Sequence, residues 1–506
     1  MPDNFYALLA GRFLPHAGRL CLETPDGERY TYGALDEESA RYAQLLGVLG
    51  LQRGDRVAVQ VEKSPAALFF YLGCLRAGLI YVPLNSAYRD LELEHFLDDA
   101  EPALVVCAPE RLDALRMLTA ARGIAALHTL DAAGRGSLYE AARACNPRAD
   151  VEAVSGEDNA VILYTSGTTG RPKGAMITHR NLASNATTLH QAWEFRDGDV
   201  LLHALPIFHI HGLFVACHTA LLNASNMLFL PKFDAGAVIA LLPRATVFMG
   251  VPTYYTRLLA EPAFGREACR NMRLFTCGSA PLLSQTFHEF RERTGHTILE
   301  RYGMTETGMN TSNPLDGDRL PGTVGPPLPG VQVRVVDNQD HDLPAGETGQ
   351  LLVKGENVFK GYWRLPEKTA EEFTADGFFR TGDLARRDAN GYVAIVGRAK
   401  DLIISGGFNI YPKEIEGYLD KLDGVLESAV IGAPHPDFGE AVIAVLVRKP
   451  EGVALTEAGV IVTLKSQIAG FKVPKRVFFA DTLPRNAMGK VQKNLLRERY
   501  VTECSW

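Results

Sequence analysis

The sequence of 506 residues contains few cysteines, and none of them forms a recognisable pair. There is no CxxC and no spacing typical of metal ligands. This pattern indicates neither a disulfide framework nor a structural zinc site, and we predict reduced thiols in a cytoplasmic protein. The eight cysteines are Cys21, Cys74, Cys107, Cys145, Cys217, Cys269, Cys277 and Cys504.

A stripe of lysine and arginine with interleaved aromatic residues is also missing. The formal net charge is −7, whereas a surface that binds nucleic acid needs clustered positive charge. The sequence also lacks low-complexity tracts and repeats, and 46% hydrophobic with 22% charged residues is ordinary for a globular protein. We therefore expect small-molecule partners and no nucleic acid.

Long apolar runs are absent as well. The most apolar segment, residues 66–84, contains Arg76, two glycines and Pro83, so a buried helix that runs into a strand is expected there rather than a membrane span. The polar opening around Asp3 lacks a basic stretch followed by an apolar one, and no signal peptide is predicted. These absences predict no membrane association.

Short β-branched runs alternate with helical patterns through most of the chain, which predicts an α/β fold with largely parallel sheets. The predicted strands are residues 56–61, 103–107, 200–205, 227–230, 246–251 and 274–277.

The length and a change in pattern predict several packed units. After about residue 320, strands separated by Gly, Pro and Asp indicate a small antiparallel or barrel-like β subdomain. A helix over 412–422 and strands over 428–431 and 441–448 then indicate a small α+β unit. We expect an N-terminal region over 1–397, a hinge over 398–401 and a mobile C-terminal domain over 402–506.

The segment YTSGTTGRPKG (residues 164–174) has three glycines, four hydroxyl groups and Lys173. Glycines allow successive backbone N–H groups to point at one centre, and small hydroxyl side chains add further donors, so the segment predicts a phosphate-binding loop. The Walker A pattern GxxxxGK[ST] does not occur in the chain. The loop therefore indicates a nucleotide site of another kind.

Four further motifs follow in one order: ERYGMTE (300–306), TGD (381–383), GRAKDLIISGGFNIYPKEIE (397–416) and PRNAMGK (484–490). Together with the phosphate loop they resemble the adenylate-forming superfamily of acyl-CoA synthetases, luciferases and peptide-synthetase adenylation domains. The resemblance implies two steps. A carboxylate attacks the α-phosphate of ATP and releases pyrophosphate, and a thiol then captures the acyl-adenylate.

The resemblance also implies roles for individual residues around ATP. Glu306 is placed as a Mg²⁺ ligand together with the hydroxyl of Thr165, since a hard cation prefers oxygen ligands. Tyr302 offers a face for adenine, Asp383 would accept the ribose hydroxyls, and Arg398 would make a second ribose or phosphate contact. The remaining nucleotide contacts implied by the loop and by the other motifs are Ser166, Gly167, Thr168, Thr169, Gly170, Lys173, Ser279, Ala280, Pro281, Glu300, Arg301, Gly303, Met304 and Thr305.

Lys490 corresponds to the superfamily's catalytic lysine, whose compact charge suits the oxyanions that develop in the transition state. Asn486 stands where threonine is more frequent in this motif, which leaves the implied role of Lys490 intact. Lys400 occupies the hinge position. Gly406 and Gly407 would border the tunnel for the pantetheine arm of coenzyme A, because only glycine lets a backbone pass so close to it.

The acid substrate should bind between the phosphate loop and ERYGMTE. The segments there, including GMNTSNP (308–314), resemble the malonyl-CoA synthetases most closely. A second carboxylate needs a buried cation or dense donors, and Arg257 is the candidate if Thr253 caps its helix. Ser279, His209 near the reacting carboxylate, and His211 would add donors. Met309 and Ile210 would limit the size of the pocket, and Ile210 departs from the small polar residue frequent in malonate enzymes.

We therefore predict an ATP-dependent malonate–CoA ligase that uses Mg²⁺ and coenzyme A and is a monomer or a weak homo-oligomer. The departure at Ile210 leaves the use of methylmalonate open. A short-chain or aryl acid ligase would need a more apolar pocket, and an enzyme that loads a separate carrier protein would need a partner. A non-catalytic nucleotide-binding protein would not need Lys490, Glu306 and Asp383 together.

Overall fold

The computed structural model describes residues 2–165, 172–405, 408–450 and 455–504. The strands formed by these residues are β1 Leu20–Glu23, β2 Arg29–Thr31, β3 Arg56–Gln60, β4 Ile80–Pro83, β5 Leu104–Cys107, β6 Ala126–Thr129, β7 Asn159–Thr165, β8 Lys173–Thr178, β9 Val200–His203, β10 Asn226–Phe229, β11 Val247–Gly250, β12 Leu274–Cys277, β13 Ile298–Met304, β14 Gly308–Ser312, β15 Gln332–Val336, β16 Thr348–Lys354, β17 Gly361–Tyr362, β18 Phe379–Arg387, β19 Val393–Arg398, β20 Ile403–Ser405, β21 Phe408–Ile410, β22 Val425–His435, β23 Gly439–Arg448 and β24 Arg476–Ala480.

The α-helices of the same residues are α1 Phe5–Phe13, α2 Tyr32–Val48, α3 Pro65–Arg76, α4 Asp90–Ala100, α5 Leu112–Ala120, α6 Ser137–Arg143, α7 His179–Ala192, α8 His218–Leu222, α9 Ala235–Leu241, α10 Pro252–Ala260, α11 Ser284–Thr294, α12 Pro366–Glu371, α13 Pro412–Leu419, α14 Glu457–Lys465 and α15 Lys493–Tyr500. A π-helix over His211–Cys217 precedes α8. None of these helices has both the length and the apolar character that crossing a membrane requires.

The chain divides into two compact units. The first unit comprises Met1–Val333 and Val353–Phe379, and the second unit comprises Arg334–Leu352 and Arg380–Trp506.

The first unit is built on two large sheets. An eight-stranded sheet has the order β14-β13-β12-β11-β9-β10-β1-β2, and a seven-stranded sheet has the order β17-β8-β7-β4-β3-β5-β6. The inner pairs of both sheets are parallel, and antiparallel pairs occur towards the edges, as between β13 and β14 and between β7 and β8. Strands β4, β5 and β11 are buried along their whole length, as expected for parallel strands covered by helices on both faces.

The second unit holds two smaller sheets. Most of a four-stranded sheet, β15-β16-β18-β19, belongs to it, and β18 and β19 pair antiparallel. A five-stranded sheet is formed by β20 to β24. Its two faces bury separate apolar clusters, one with Ile415 and Leu419 of α13 and the other with Leu496 and Tyr500 of α15.

The predicted fold class is confirmed, since mixed α/β sheets form a large N-terminal part and a smaller α+β part follows. The apolar segment over 66–84 is helix α3 followed by strand β4, and both are buried. Helix α3 begins at Pro65, because Ser64 accepts a hydrogen bond from the N–H of Ala67 and Pro65 occupies the first turn. The predicted boundaries of the domains and of the hinge stay a prediction.

Candidate active site

The phosphate-loop motif lies at a hairpin between two strands of the seven-stranded sheet. Strand β7 ends at Thr165, strand β8 begins at Lys173, and these two residues face each other in the antiparallel pair. The hairpin therefore brings the predicted hydroxyl and the predicted lysine to the same place. The predictions for Ser166, Gly167, Thr168, Thr169 and Gly170 lie outside the described residues.

Lys173 and Glu306 are linked by a residue that the sequence analysis missed. The Lys173 Nζ atom lies 3.9 Å from the ring centroid of Tyr362 and 3.6 Å from Glu372 Oε1. The Tyr362 hydroxyl donates a hydrogen bond to Glu306 Oε1 over 3.2 Å. Tyr362 lies on β17, which pairs with β8. The aromatic ring thus holds the lysine by a cation–π contact, and the hydroxyl orients the carboxylate.

Glu306 and Thr165 supply the oxygen donors that a magnesium ion prefers. Glu306 is only 6% exposed, and a carboxylate with a hydroxyl group suits Mg²⁺, which usually takes one or two protein ligands and completes its shell with phosphate oxygens and water. Among the described residues no group of three or more His, Cys, Asp or Glu side chains is arranged to hold a metal. The donor set fits a cation bound together with phosphates.

The predicted acid and adenine segments follow parallel strands of the eight-stranded sheet. Strands β9, β11, β12 and β13 run parallel, so their carboxyl ends lie at one edge. In open α/β sheets this edge is where ligands bind. The segments that leave it carry His209 after β9 and Ser279 after β12, and Arg301 lies within β13.

Ser279 follows β12 in an unusual backbone conformation. Its φ is 70°, in the left-handed region that non-glycine residues rarely adopt. Such strain occurs often at functional sites. Ser279 and Ala280 are half-buried and Pro281 is exposed, as a segment at the rim of a nucleotide site would be. The residues predicted beside it, Glu300, Tyr302, Gly303, Met304 and Thr305, continue β13 and the turn after it.

His209 and His211 are both held uncharged. Burial, and to a smaller extent the nearby guanidinium of Arg301, lowers the pKa of His209 to about 4. The same two causes hold the pKa of His211 well below its usual range. The backbone N–H of His211 donates to His209 Nδ1 over 3.3 Å, so the proton of His209 lies on Nε2. His209 is therefore a hydrogen-bond donor at neutral pH.

Ser279 and His211 are neighbours. The Ser279 Oγ atom lies 3.2 Å from His211 Nδ1. His211 is fully buried, and its Nε2 has no hydrogen-bond partner among the described residues. The structure thus brings together Ser279, His209 and His211, which the sequence analysis assigned to one site.

Arg301 belongs to the same cluster. The residue is 3% exposed, and its Nε and Nη2 atoms are buried without a hydrogen-bond partner in the part of the chain that the structure describes. Burial lowers the pKa of its guanidinium to about 10, so the group stays charged at neutral pH. A positive charge is therefore buried beside two neutral histidines.

Met309 and Ile210 are buried, and their role in limiting the pocket stays a prediction. Met309 pairs with Gly303 across β13 and β14. A Cβ atom at Gly303 would collide with the Met309 side chain and with the backbone of Gly308. Glycine at this position is what lets Met309 approach β13.

Arg257 is more exposed than the predicted carboxylate clamp requires. It is exposed on α10, whose buried residues are Tyr255, Leu258 and Leu259. The helix begins at Pro252 after Val251, so Thr253 is not its N-cap and that prediction was wrong. An exposed side chain lacks the burial on which the predicted clamp for a second carboxylate depends.

Asp383 and Arg398 face each other in the second unit. They are opposite residues of the antiparallel pair β18 and β19, and Arg398 Nε lies 2.8 Å from Asp383 Oδ1. The Asp383 backbone N–H donates to Thr381 Oγ1, and Arg398 Nη1 donates to the Thr381 carbonyl. The two predicted ribose contacts therefore form one rigid arrangement.

Lys490 is held in a tight turn by Asn486. The Asn486 Oδ1 atom accepts the backbone N–H groups of Met488, at 3.0 Å, and of Lys490, at 2.9 Å. This explains how asparagine serves where threonine is more frequent. The residue is exposed, but desolvation of the ammonium group by surrounding protein lowers its pKa to about 8, with a further contribution from Arg398.

Lys400 is exposed in a short 3₁₀ turn over Ala399–Asp401 that joins β19 to β20. Its position between two strands of different sheets agrees with the expected hinge, which stays a prediction. Gly406 and Gly407 lie outside the described residues, so their predicted contact with coenzyme A also stays a prediction.

Comparison with known proteins covers nearly the whole chain. The family model described as AMP-binding enzyme matches residues 14–363, and the model described as AMP-binding enzyme C-terminal domain matches residues 414–490. The chain is 35% identical over 522 residues to a malonate–CoA ligase of Arabidopsis thaliana, with 94% of this chain and 85% of the relative covered.

Two further similar proteins show that overall sequence identity does not by itself identify the acid substrate. A feruloyl-CoA synthase of Amycolatopsis is 36% identical, with 97% of each chain covered. The crystal structure of ATP-bound MatB from Rhodopseudomonas palustris is 54% identical, covers 99% of both chains and superimposes with a TM-score of 0.97. The malonate–CoA ligase and the feruloyl-CoA synthase, at 35% and 36% identity, are thus named for different acids, and the residues of the site have to distinguish these substrates.

Proposed function

Since this chain belongs to the AMP-binding enzyme family, we propose that it is an ATP-dependent malonate–CoA ligase that forms malonyl-CoA, AMP and pyrophosphate through a malonyl-adenylate. The single observation that favours malonate over an apolar acid is the positive charge of Arg301 buried beside His209 and His211. An aryl or fatty acid would leave that charge without a partner, at a large cost in free energy. The similarity to malonate–CoA ligases supports the same substrate.

The proposed first step joins two anions, so positive charge and oriented donors must offset their repulsion. Lys173 would neutralise the β- and γ-phosphates, with its position fixed by Tyr362. Thr165 and Glu306 would hold Mg²⁺, which supplies additional positive charge to the phosphates when bound. Lys490 would contact the oxygens of the attacking carboxylate and of the α-phosphate.

His209 has a different role in this proposal. A neutral imidazole with its proton on Nε2 can donate a hydrogen bond to the reacting carboxylate without neutralising the negative charge of that carboxylate. Asp383, held by Arg398 and Thr381, would accept the ribose hydroxyls and fix the nucleotide. In the second step, the thiol of coenzyme A attacks the acyl carbon of the malonyl-adenylate, the thioester bond forms, and AMP leaves.

The test is AMP release by the purified protein with ATP, Mg²⁺ and coenzyme A. Malonate, methylmalonate, acetate and ferulate are compared at equal concentration, and a Lys490→Ala variant controls for contaminating ligases. We expect malonate to be used with the highest kcat/KM. A higher value for acetate or ferulate would retain the adenylation chemistry and reject malonate as the substrate. The rate with methylmalonate measures how tightly Ile210 and Met309 limit the pocket.

A further inference from the structure

Lys63 and His203 form a buried pair that takes no part in the steps proposed above. Lys63 follows β3 and comes directly before Ser64, the cap of helix α3, so its backbone is fixed. The Lys63 Nζ atom lies 2.8 Å from His203 Nδ1 and 2.9 Å from the His203 carbonyl oxygen. It also lies 4.2 Å from the ring centroid of Phe229. The pair therefore joins the end of β3 in the seven-stranded sheet to the end of β9 in the eight-stranded sheet.

The hydrogen bonds of His203 permit one position for its proton. Its Nε2 atom lies 2.9 Å from the carbonyl oxygen of Gly212, which can only accept, so the proton lies on Nε2. Nδ1 then carries a lone pair and accepts a hydrogen bond from Lys63. Burial and the neighbouring Lys63 hold the pKa of His203 well below its usual range, so the ring is neutral. Lys63 thus holds the ring with Nε2 towards Gly212.

The hydrogen bond donated by His203 Nε2 closes the loop that carries two residues of the acid site. Residues 204–211 run from the end of β9 into the π-helix, and His209 and His211 are among them. Nε2 also lies 3.2 Å from the Sγ atom of Cys217, the last residue of the π-helix. One imidazole ring therefore contacts both ends of the π-helix, and the position of the two acid-site histidines depends on the orientation of that ring.

Lysine is a costly residue for this buried position. Burial lowers the pKa of Lys63 to about 7, which reflects the poor solvation of an ammonium ion there. Its Nζ atom contacts an imidazole nitrogen, a carbonyl oxygen and an aromatic ring. A methionine of similar length would fill the same space without the desolvation cost of a charge. Stability alone therefore does not explain a lysine here, whereas the orientation of His203 does.

We infer that Lys63 is a positioning residue for the acid site and acts through His203 on the loop that carries His209. This inference rests on the proposed function, in which His209 donates a hydrogen bond to the reacting carboxylate. Lys63 orients the His203 ring, and the ring holds the Gly212 carbonyl at the start of the π-helix. The loop is thereby kept where His209 can reach the acid.

The test is a double-mutant cycle with Lys63→Met, His203→Phe and the two changes combined. The kcat/KM for malonate is measured by ATP–pyrophosphate exchange. We expect each single variant to lose at least about tenfold, since misplacement of a reacting group by about 1 Å can cost about 100-fold. If Lys63 acts only through His203, the combined variant loses no more than His203→Phe alone. Losses that multiply in the combined variant would mean that Lys63 acts by another route, and would overturn the inference.

Two further variants separate positioning from the loss of any buried hydrogen bond. His203→Gln keeps an amide donor for the Gly212 carbonyl, so it should recover part of the rate that His203→Phe loses. Tyr71→Phe is the matched control, because it removes the 2.9 Å hydrogen bond between the Tyr71 hydroxyl and His218 Nε2, which is also buried. This control should keep the wild-type rate. A loss as large as that of Lys63→Met would assign the effect to weakened packing and contradict the inference.

The affinity for ATP is a readout that a general distortion of the first unit would change. Lys63→Met should bind ATP as tightly as the wild type when malonate is absent, because residues 204–211 contain none of the groups proposed to hold the phosphates or the ribose. Isothermal titration with ATP and Mg²⁺ measures this affinity. A loss of ATP affinity as large as the loss of kcat/KM for malonate would reject a positioning role in the acid site.

The outcomes distinguish the inference from the proposed function. If Lys63→Met does not fold, Lys63→Gln takes its place, because the glutamine amide is one bond closer to the backbone and falls short of His203 Nδ1. A wild-type rate in the folded Lys63 variant would reject the inference and leave the function standing. A wild type that uses another acid instead of malonate would reject the function, and the same cycle with that acid would still decide the inference. A wild type that activates none of the acids would reject both.

Discussion

The charge of Lys490 depends on its surroundings in the second unit. Desolvation and the neighbouring Arg398 and Lys400 favour the neutral amine, whereas Asp383 and Asp401 favour the ammonium ion. The balance lowers the pKa to about 8, so the group is cationic below that pH and neutral above it. The ammonium ion of Lys490, which would stabilise the developing negative charge, therefore loses its proton in the mildly alkaline range.

This titration predicts the pH dependence of adenylation. The kcat/KM for ATP should fall as the pH rises through about 8, since this parameter reports the ionisation of the free enzyme. ATP–pyrophosphate exchange without coenzyme A is the suitable measurement, because the thiol of coenzyme A titrates in the same range. Lys490→Arg keeps its charge at this pH, so its residual rate should lack the alkaline decrease. A decrease of equal size in both proteins would assign it to another group.

At the scale of single residues, the sequence identified the residues of the motifs, but it did not predict that Arg257 is exposed and Arg301 is buried. On α10 the buried residues Tyr255, Leu258 and Leu259 define a face from which Arg257 is excluded, and this depends on where the helix begins. Arg301 lies in β13, whose first four residues are buried. The apolar residues Ile298 and Leu299 at the start of this strand are visible in the sequence, but the motif ERYGMTE was interpreted only as a set of nucleotide contacts. Tyr362 could not be found in this way, because it reaches Glu306 only through the pairing of β17 with β8.

The π-helix over His211–Cys217 is the element that positions the two histidines. π-Helical turns are rare and occur frequently at functional sites. Gly212 lies within it, and a Cβ atom there would collide with the carbonyl group of Pro206. The Gly212 carbonyl in turn accepts a hydrogen bond from His203 Nε2 over 2.9 Å. The path of the chain between β9 and α8 therefore depends on glycine at this position.

Gly212→Ala should displace His209 and His211 and lower the exchange rate with malonate by about 100-fold, the order of loss expected when a reacting group is misplaced by about 1 Å. Gly47→Ala is the matched control, because Gly47 is an exposed residue of α2 with no atom within 4 Å of the added Cβ. It should keep the full rate and gain about 0.5–1 kcal/mol in the free energy of unfolding. Exchange rates are compared at a temperature well below both melting transitions. A wild-type rate in Gly212→Ala would show that the π-helix tolerates the change.

At the scale of elements, the sequence predicted the presence of strands and helices better than the residues at which they end. The predicted strand over 274–277 has those limits in the structure, and the one over 200–205 ends at His203. The helix predicted over 412–422 ends at Leu419. Ends depend on caps and on neighbouring strands. No periodicity of apolar residues predicts the π-helix. Its chain passes so close to the carbonyl group of Pro206 that a Cβ atom at position 212 would collide with it.

The whole chain divides its functional residues between the two units. Thr165, Lys173, Glu306 and the cluster around Arg301 belong to the first unit, and Asp383, Arg398 and Lys490 belong to the second. The motifs predicted this set of residues, because each motif is local in sequence. The grouping of residues 334–352 with the C-terminal part has no local signal, since it arises from the pairing of β16 with the later strand β18.

The superfamily's use of the C-terminal domain in two different ways, which stays a proposal for this chain, predicts separate effects of Lys490 on the two half-reactions. Lys490→Ala should abolish ATP–pyrophosphate exchange, because the transition state for adenylation loses its cation. It should leave thioester formation from supplied malonyl-adenylate and coenzyme A mostly intact, since no α-phosphate is attacked in that step. Both rates are measured on the same preparation, with Lys493→Ala as a control lysine, whose Nζ instead binds Glu416. Equal losses in both half-reactions would mean that Lys490 supports the second step as well, and that the two steps do not use the C-terminal domain differently.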